Sequence, residues 1–370
     1  MPLQTKQKQY IDSPVLTGHD LISFPFNSTG TWSPIQNMFA YVLVIGGGGG
    51  GGASYASGAQ TGAVPRRACA SGGGAGGAAL SLLELRKDIT YSYTTGAGAA
   101  RVSTTSATSG GRNATGNTGS ASTFSGSGIP TMTANGGNGG NGDFSDDSDN
   151  SAAGVTGGTA SGGNVYNRTG GGSGFAASQS VTTSDCIPVS SGGGAPQVFV
   201  DPADEVLNSG NITRTSANFG SSGGGANSHG ASPDMTGGTN RVQGGADLGN
   251  GTLDLEAFHN PVTSFESTNR SIQSIFGRFF HLSGPPDNDN LIRGTNNNIG
   301  ATSFSGIRIY GAGGFSDSTS ATNDQGPPSP GIGGGGGGGA LVRNTGAATL
   351  VSGGIGGDGA IYILPVKVEI

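Results

Sequence analysis

Charge is scarce in this sequence: Asp, Glu, Lys and Arg together make up only 11% of 370 residues. The formal charge of −6 and pI near 5.1 exclude nucleic-acid binding, which needs clustered Lys and Arg against phosphates. The basic residues are scattered, with adjacent pairs only at Arg66-Arg67 and Arg86-Lys87. Hydrophobic residues reach 32% and aromatic ones 6%, too few for an ordinary globular core, yet the low charge is unlike a disordered tail. No stretch approaches the roughly 20 apolar residues of a membrane helix. Met1–Tyr10 has no apolar core, so it does not read as a secretory leader. Two cysteines, Cys69 and Cys186, allow one disulfide at most. Closing a loop of that size would contribute on the order of 4 or 5 kcal/mol in the entropy model. Two free thiols in a reducing compartment are the other reading.

What the chain has is glycine, 76 residues of it. Two runs of seven, Gly46–Gly52 and Gly333–Gly339, bracket most of the chain; the apolar β-like stretch Tyr41–Ile45 leads into the first, and a matching stretch, Gly359–Leu364, lies near the far end. A flexible tether needs no such flanks. Polyglycine II helices do: with three residues per turn and no internal hydrogen bonds, their backbones bond sideways to neighbours. Shorter glycine groups recur between Gly136 and Gly238 without a fixed period linking them, separated by Ser, Thr, Asn and Asp turn chemistry.

Strand signals surround the glycine. Leu21–Phe26, Gly30–Ser33 and Phe39–Ile45 read as strands, the last apolar throughout and suited to burial on both faces. Ala79–Leu85 and Ile89–Thr94 read as a hairpin with a polar turn at Arg86–Asp88, with Ile89, Tyr91 and Tyr93 on one face. Ser122–Phe124, Ile129–Ala134 and Ser303–Tyr310 read as further strands, and Ile272–Phe279 as a short amphipathic helix. The closing strand Ala360–Ile370 is expected to pair with Phe39–Ile45, so that both long glycine runs project in one direction. The expected fold class is all-β: a small β-sandwich-like base from N- and C-terminal strands, with packed polyglycine II helices and polar loops projecting from it. The expected divisions are an extended arm at 1–20, the base and first glycine layer at 21–140, and glycine-rich loops at 141–252. A less glycine-rich insertion at 253–300 and closing strands with the second run at 301–370 complete them.

This organisation resembles the glycine-rich domain of bacteriophage tail fibres and tail-tip adhesins. The residues carrying the resemblance are Gly30-Thr31-Trp32, Tyr41–Ile45 with its seven glycines, Gly72–Gly77, and Leu80–Tyr93 ending at Gly96-Ala97-Gly98. Ser122–Phe124 and Gly353–Ile363 continue it. It covers roughly 21–140 and 310–370; the segment at about 195–300 departs from it. The resemblance implies a virion protein, often a homotrimer, joined to other tail proteins and contacting a bacterial surface receptor through distal glycine loops.

Aromatic residues among polar loops are the candidate receptor contacts: Tyr55, Tyr166, Phe175, Phe219 and Phe315, with Arg66 and Arg67 for acidic sugars. The competing role for each aromatic is packing over glycine. Asp143, Asp146, Asp147 and Asp149 form an acidic loop with oxygen ligands suited to calcium; a solvated loop is the alternative. No other cofactor is expected. Neither glycine run is followed by the Lys-Ser or Lys-Thr of a phosphate loop. His19, His229, His259 and His281 lack metal spacing, and no nucleophile–base set or paired carboxylate stands out, so an enzyme is not expected. The alternatives to an adhesin are a purely architectural head fibre or decoration protein, and an ice-binding protein. The last would need a flat, repeating Thr or Ala face.

Overall fold

The computed structural model describes residues 22–57, 67–105, 110–145, 150–173, 176–178, 187–190, 193–194, 212–214, 232–234, 240–243, 317–319, 332–343 and 350–366. All regular structure among them is β-strand, with no helix. The expected arm at 1–20, the helix at 272–279 and the strand at 303–310 lie outside the described residues.

The chain shuttles between two groups of strands. After β1 (Ile22–Ser23) and β2 (Thr29–Trp32), β3 (Met38–Ile45) leads through glycines 46–52 to β4 (Ala53–Ser57). The return runs from β5 (Arg67–Ala70) through 71–77 to β6 (Ala78–Leu85). The same traverse recurs from β7 (Tyr91–Thr94) to β8 (Ser103–Thr105) and from β9 (Gly110–Ala114) to β10 (Ser122–Gly126). Next come β11 (Ile129–Ala134) to β12 (Gly142–Ser145), β13 (Asn150–Ala152) to β14 (Ala160–Ser161), and β15 (Tyr166–Arg168) to β16 (Ala176–Ser178). Further strands are β17 (Ile187–Ser190), β18 (Ile212–Arg214), β19 (Ser232–Asp234), β20 (Asn240–Gln243) and β21 (Asp317–Thr319). The second long glycine run enters β22 (Gly339–Arg343), and β23 (Leu350–Ser352) returns through 353–359 to β24 (Ala360–Val366).

The base consists of two antiparallel sheets, ordered β1-β24-β3-β6-β15 and β14-β11-β10-β7-β2. One apolar cluster joins them: Ala40, Val42, Val44, Leu83, Ile361 and Ile363 from the first, with Tyr91, Phe124 and Met132 from the second. Phe24 stacks on Tyr93 at 4.0 Å between ring centroids, and Tyr91 on Phe124 at 5.5 Å. Tyr41, Leu43 and Ile45, on the opposite face of β3, are buried as well, as continuous apolarity requires. The closing strand pairs with β3 as expected, from Ala360↔Ile45 to Val366↔Phe39. Pro365 lies beyond the end of β1, where its missing N–H breaks no described ladder.

The expected hairpin of Ala79–Leu85 with Ile89–Thr94 does not form. β6 pairs with β3 and β15, whereas β7 pairs with β10 and β2, so the Arg86–Asp88 turn carries the chain from one sheet to the other. The Arg86 N–H donates to the Tyr91 hydroxyl at 2.9 Å, and Ile89 N–H closes back on Arg86 O at 3.1 Å. The polar turn was read correctly. Its two flanks belong to different layers because β6 is apolar on both faces, while the alternating β7 covers the core from the other side.

Between base and far strands the glycine segments bond sideways. Gly46, Gly49 and Gly52 donate to Gly77, Gly74 and Ser71; Gly47 and Gly50 to Ser120 and Asn117; Gly48 and Gly51 to Gly357 and Gly354. Each neighbour is met at every third residue, a period the spacing of glycine groups did not reveal. Three further segments approach 46–52 in parallel: Gly137 and Gly140 donate to Gly47 and Gly50, Ala99 to Gly48, and Gly336 and Gly339 to Gly49 and Gly52. The six neighbours also bond to one another in a closed ring, 71–77, 135–141, 115–121, 95–102, 353–359 and 333–338. Segment 71–77 is ringed likewise, by 46–52, 135–141, 153–159, 169–173, 193–194 and 333–338. Sharing of neighbours between the two rings arranges the described segments in three layers: 115–121, 135–141 and 153–159; then 95–102, 46–52, 71–77 and 169–173; then 353–359, 333–338 and 193–194.

Candidate functional site

The shuttle places the candidate residues at opposite ends. Tyr55, Arg67 and Asp143 lie on the far strands β4, β5 and β12, whereas Tyr166 lies on β15 of the base. The structure therefore does not bring Tyr166 into one site with the others. Arg66, Phe175, Phe219, Phe315, Asp146, Asp147 and Asp149 lie outside the described residues.

Tyr55 is a correction to the contact set. Its ring is fully enclosed, packed with Ala53 and Val351 and bordered by Ala114. An enclosed ring offers no area to a partner, and the side chain instead packs the far-end core, where it is the largest buried side chain among the described residues. Its hydroxyl is buried without a hydrogen-bond partner. Ala68, Ala70 and Ala340 form a second small far-end cluster among the described residues. Tyr166 is half-buried, with the Arg168 guanidinium 4.4 Å from its ring centroid. Burial pushes its phenol above the ordinary range, and the neighbouring positive charge opposes the shift. Both features describe a packed edge of the base.

At the far end, Asp143 is half-buried and its carboxylate accepts from the Phe144 N–H at 3.0 Å, while its carbonyl accepts from the Ser54 hydroxyl at 2.6 Å. It pairs in register with Cys69, and Ser145 with Arg67, so Arg67 and Asp143 occupy adjacent strands. Among the described residues no cluster of three metal-ligating side chains occurs. Cys69 is buried, and Cys186 lies outside the described residues.

Two far-end residues escaped the sequence reading. Arg112 is exposed on β9 opposite Tyr55, and the half-buried Phe144 ring lies against the bare backbone of Gly111 beside it. Gly110-Gly111 preceding an arginine was the available signal. A third feature lies on the flank. Asn135, Asn138 and Asn141, three residues apart, project from the outer layer; Asn135 and Asn138 donate to the Thr159 and Thr156 hydroxyls at 2.9 Å, and Asn141 to Ala153 O at 3.0 Å. Thr115 and Thr118 are exposed on the adjoining segment. The outer layer thus carries a repeating grid of Asn and Thr, announced by Asn135-Gly-Gly-Asn138-Gly-Gly-Asn141.

No family model matches this chain, and no curated protein sequence matches it.

Proposed function

We propose that this chain is a bacteriophage tail-fibre or tail-tip adhesin, a virion protein that binds the host cell surface through connections at its far end. The observation carrying this reading is the shuttle: the described glycine-rich traverses each join a base strand to a far strand, so the far strands stand off from the base. The base is read as a β-sandwich and the glycine segments as polyglycine II helices, supported by the three-residue period of their partners. At roughly 3.1 Å per residue, seven glycines hold the far strands about 22 Å from the base. The exposed Arg112 and the half-buried Phe144 beside it are described residues suited to an anionic or sugar-bearing surface. Partners are other tail proteins at the base and a bacterial protein or polysaccharide at the tip, in a homotrimer. Purified chain is expected to adsorb to host cells and to compete with the parent particle. Replacing the connections at 58–66, 106–109 and 146–149 by short Gly-Ser turns should abolish both; unchanged adsorption would remove the receptor role and favour an architectural one.

A second reading has a specific observation in its favour. The repeat of Asn and Thr along the outer layer favours an ice-binding role, although that role calls for a Thr or Ala face and here Asn135 and Asn138 engage the Thr159 and Thr156 hydroxyls. Thermal hysteresis in purified protein supports that reading, and its absence at millimolar concentration eliminates it.

A further inference from the structure

We propose that the glycine bundle is a mechanical strut, carrying tension between base and far end with its hydrogen bonds loaded in shear. Every N–H from Gly46 to Gly52 is donated sideways to a neighbouring segment. These bonds stand across the direction in which the segment runs. Pulling the far end from the base draws 46–52 along its own length, against neighbours on all sides, and many bonds must yield together. A force applied across the bundle separates one line of bonds at a time.

The grip continues into the strands at both ends. β3 pairs with β6 through Ile45↔Ala78, and that pairing carries on as Gly46 to Gly77 and Gly49 to Gly74. Its pairing with β24 through Ile45↔Ala360 carries on as Gly48 to Gly357 and Gly51 to Gly354. Beyond the glycines, β4 is held between β9 and β22. The stretch from Met38 to Ser57 is therefore clamped along its whole length. Gly46 to Gly52 are all buried, so water cannot replace a stretched bond before its neighbours share the load. An isolated tether of the same composition would extend freely under small forces.

The test is an optical-trap measurement on the full chain, with DNA handles attached at introduced cysteines and Cys186→Ser as background. Cys69 is retained, because it is buried and escapes native labelling. The axial pair is Ile35→Cys, at a base turn where Ile35 is 94% exposed, and Gln60→Cys, between β4 and β5. The transverse pair is Asn138→Cys and Ile355→Cys, on the first and third of the described layers, where Asn138 is exposed and Ile355 half-buried. At equal loading rate the axial pair is expected to rupture at about twice the transverse force or more, forced unfolding being governed by the barrier along the pulled direction. Axial rupture at or below the transverse force overturns the proposal. The outcome is independent of host adsorption, so the strut and the adhesin reading fail separately.

Discussion

At the residue scale, glycine content rises with enclosure by neighbouring backbone, though the ringed segment 71–77 still admits the buried Ser71 and Ala75. Segment 46–52, ringed by six others, is glycine throughout; 135–141, with one open side, keeps two glycines in three and turns Asn outward; 115–121, more open, keeps one in three. A methyl built on Gly48 falls on the carbonyl oxygen of Gly334, whereas one on Gly50 comes no nearer than 3.2 Å, to Ala100 O. Backbone atoms cannot rotate away, so Gly48→Ala is expected to cost about 1–3 kcal/mol or more. Gly50→Ala should be far milder, because the restricted unfolded chain offsets part of its crowding. Urea midpoints of the two variants check the contrast. Tyr55→Phe removes a hydroxyl that is buried without a partner, and the variant should be as stable as the wild type or up to about 1 kcal/mol more so. Host adsorption by that variant should not change. Tyr362, buried in β24, has its phenol pushed above the ordinary range by desolvation. Above about pH 10 the unfolded chain loses that proton while the folded chain keeps it, so stability falls as pH rises. Tyr362→Phe should flatten the fall in a denaturation series from pH 9 to 12.

At the element scale, register is set by the strands and not by the glycines. A glycine run displaced by three residues meets an equivalent set of carbonyls, whereas β3 displaced by one residue turns Val42 and Val44 out of the core. Deleting one glycine from 46–52 shifts every later residue off its three-residue pattern of partners and is expected to misplace β4. Its cost should exceed that of Gly50→Ala, seen as a lower thermal midpoint together with newly exposed amides in β4 by hydrogen exchange. Legibility in the sequence follows the same division. The β3–β24 pairing was readable because both strands are apolar at adjoining positions and each abuts glycine. The separation of β6 from β7 was not, since a polar turn looks the same whether its flanks pair or part. The burial of Tyr55 was hidden by its short, alanine- and serine-rich strand, which borrows its apolar cover from Val351, distant in sequence. The three-residue period was visible locally at Asn135–Asn141 but masked where a segment is all glycine.

At the scale of the whole molecule, a base and a far cap are joined by parallel struts of backbone. Among the described residues the base sheets end at β2, β14, β1 and β15, and these end strands are where association with other chains is expected. Sedimentation should find a trimer at micromolar concentration; a stable monomer would count against three-fold assembly.

The ring around 46–52 closes only when 353–359 takes its place, because Gly48 and Gly51 donate to Gly357 and Gly354. During synthesis the first long glycine run leaves the ribosome some three hundred residues before its last neighbour, a separation that slows folding. The nascent chain must wait with the Gly48 and Gly51 N–H groups unpaired, exposed to chaperones and proteases, until segment 353–359 arrives to seal the ring.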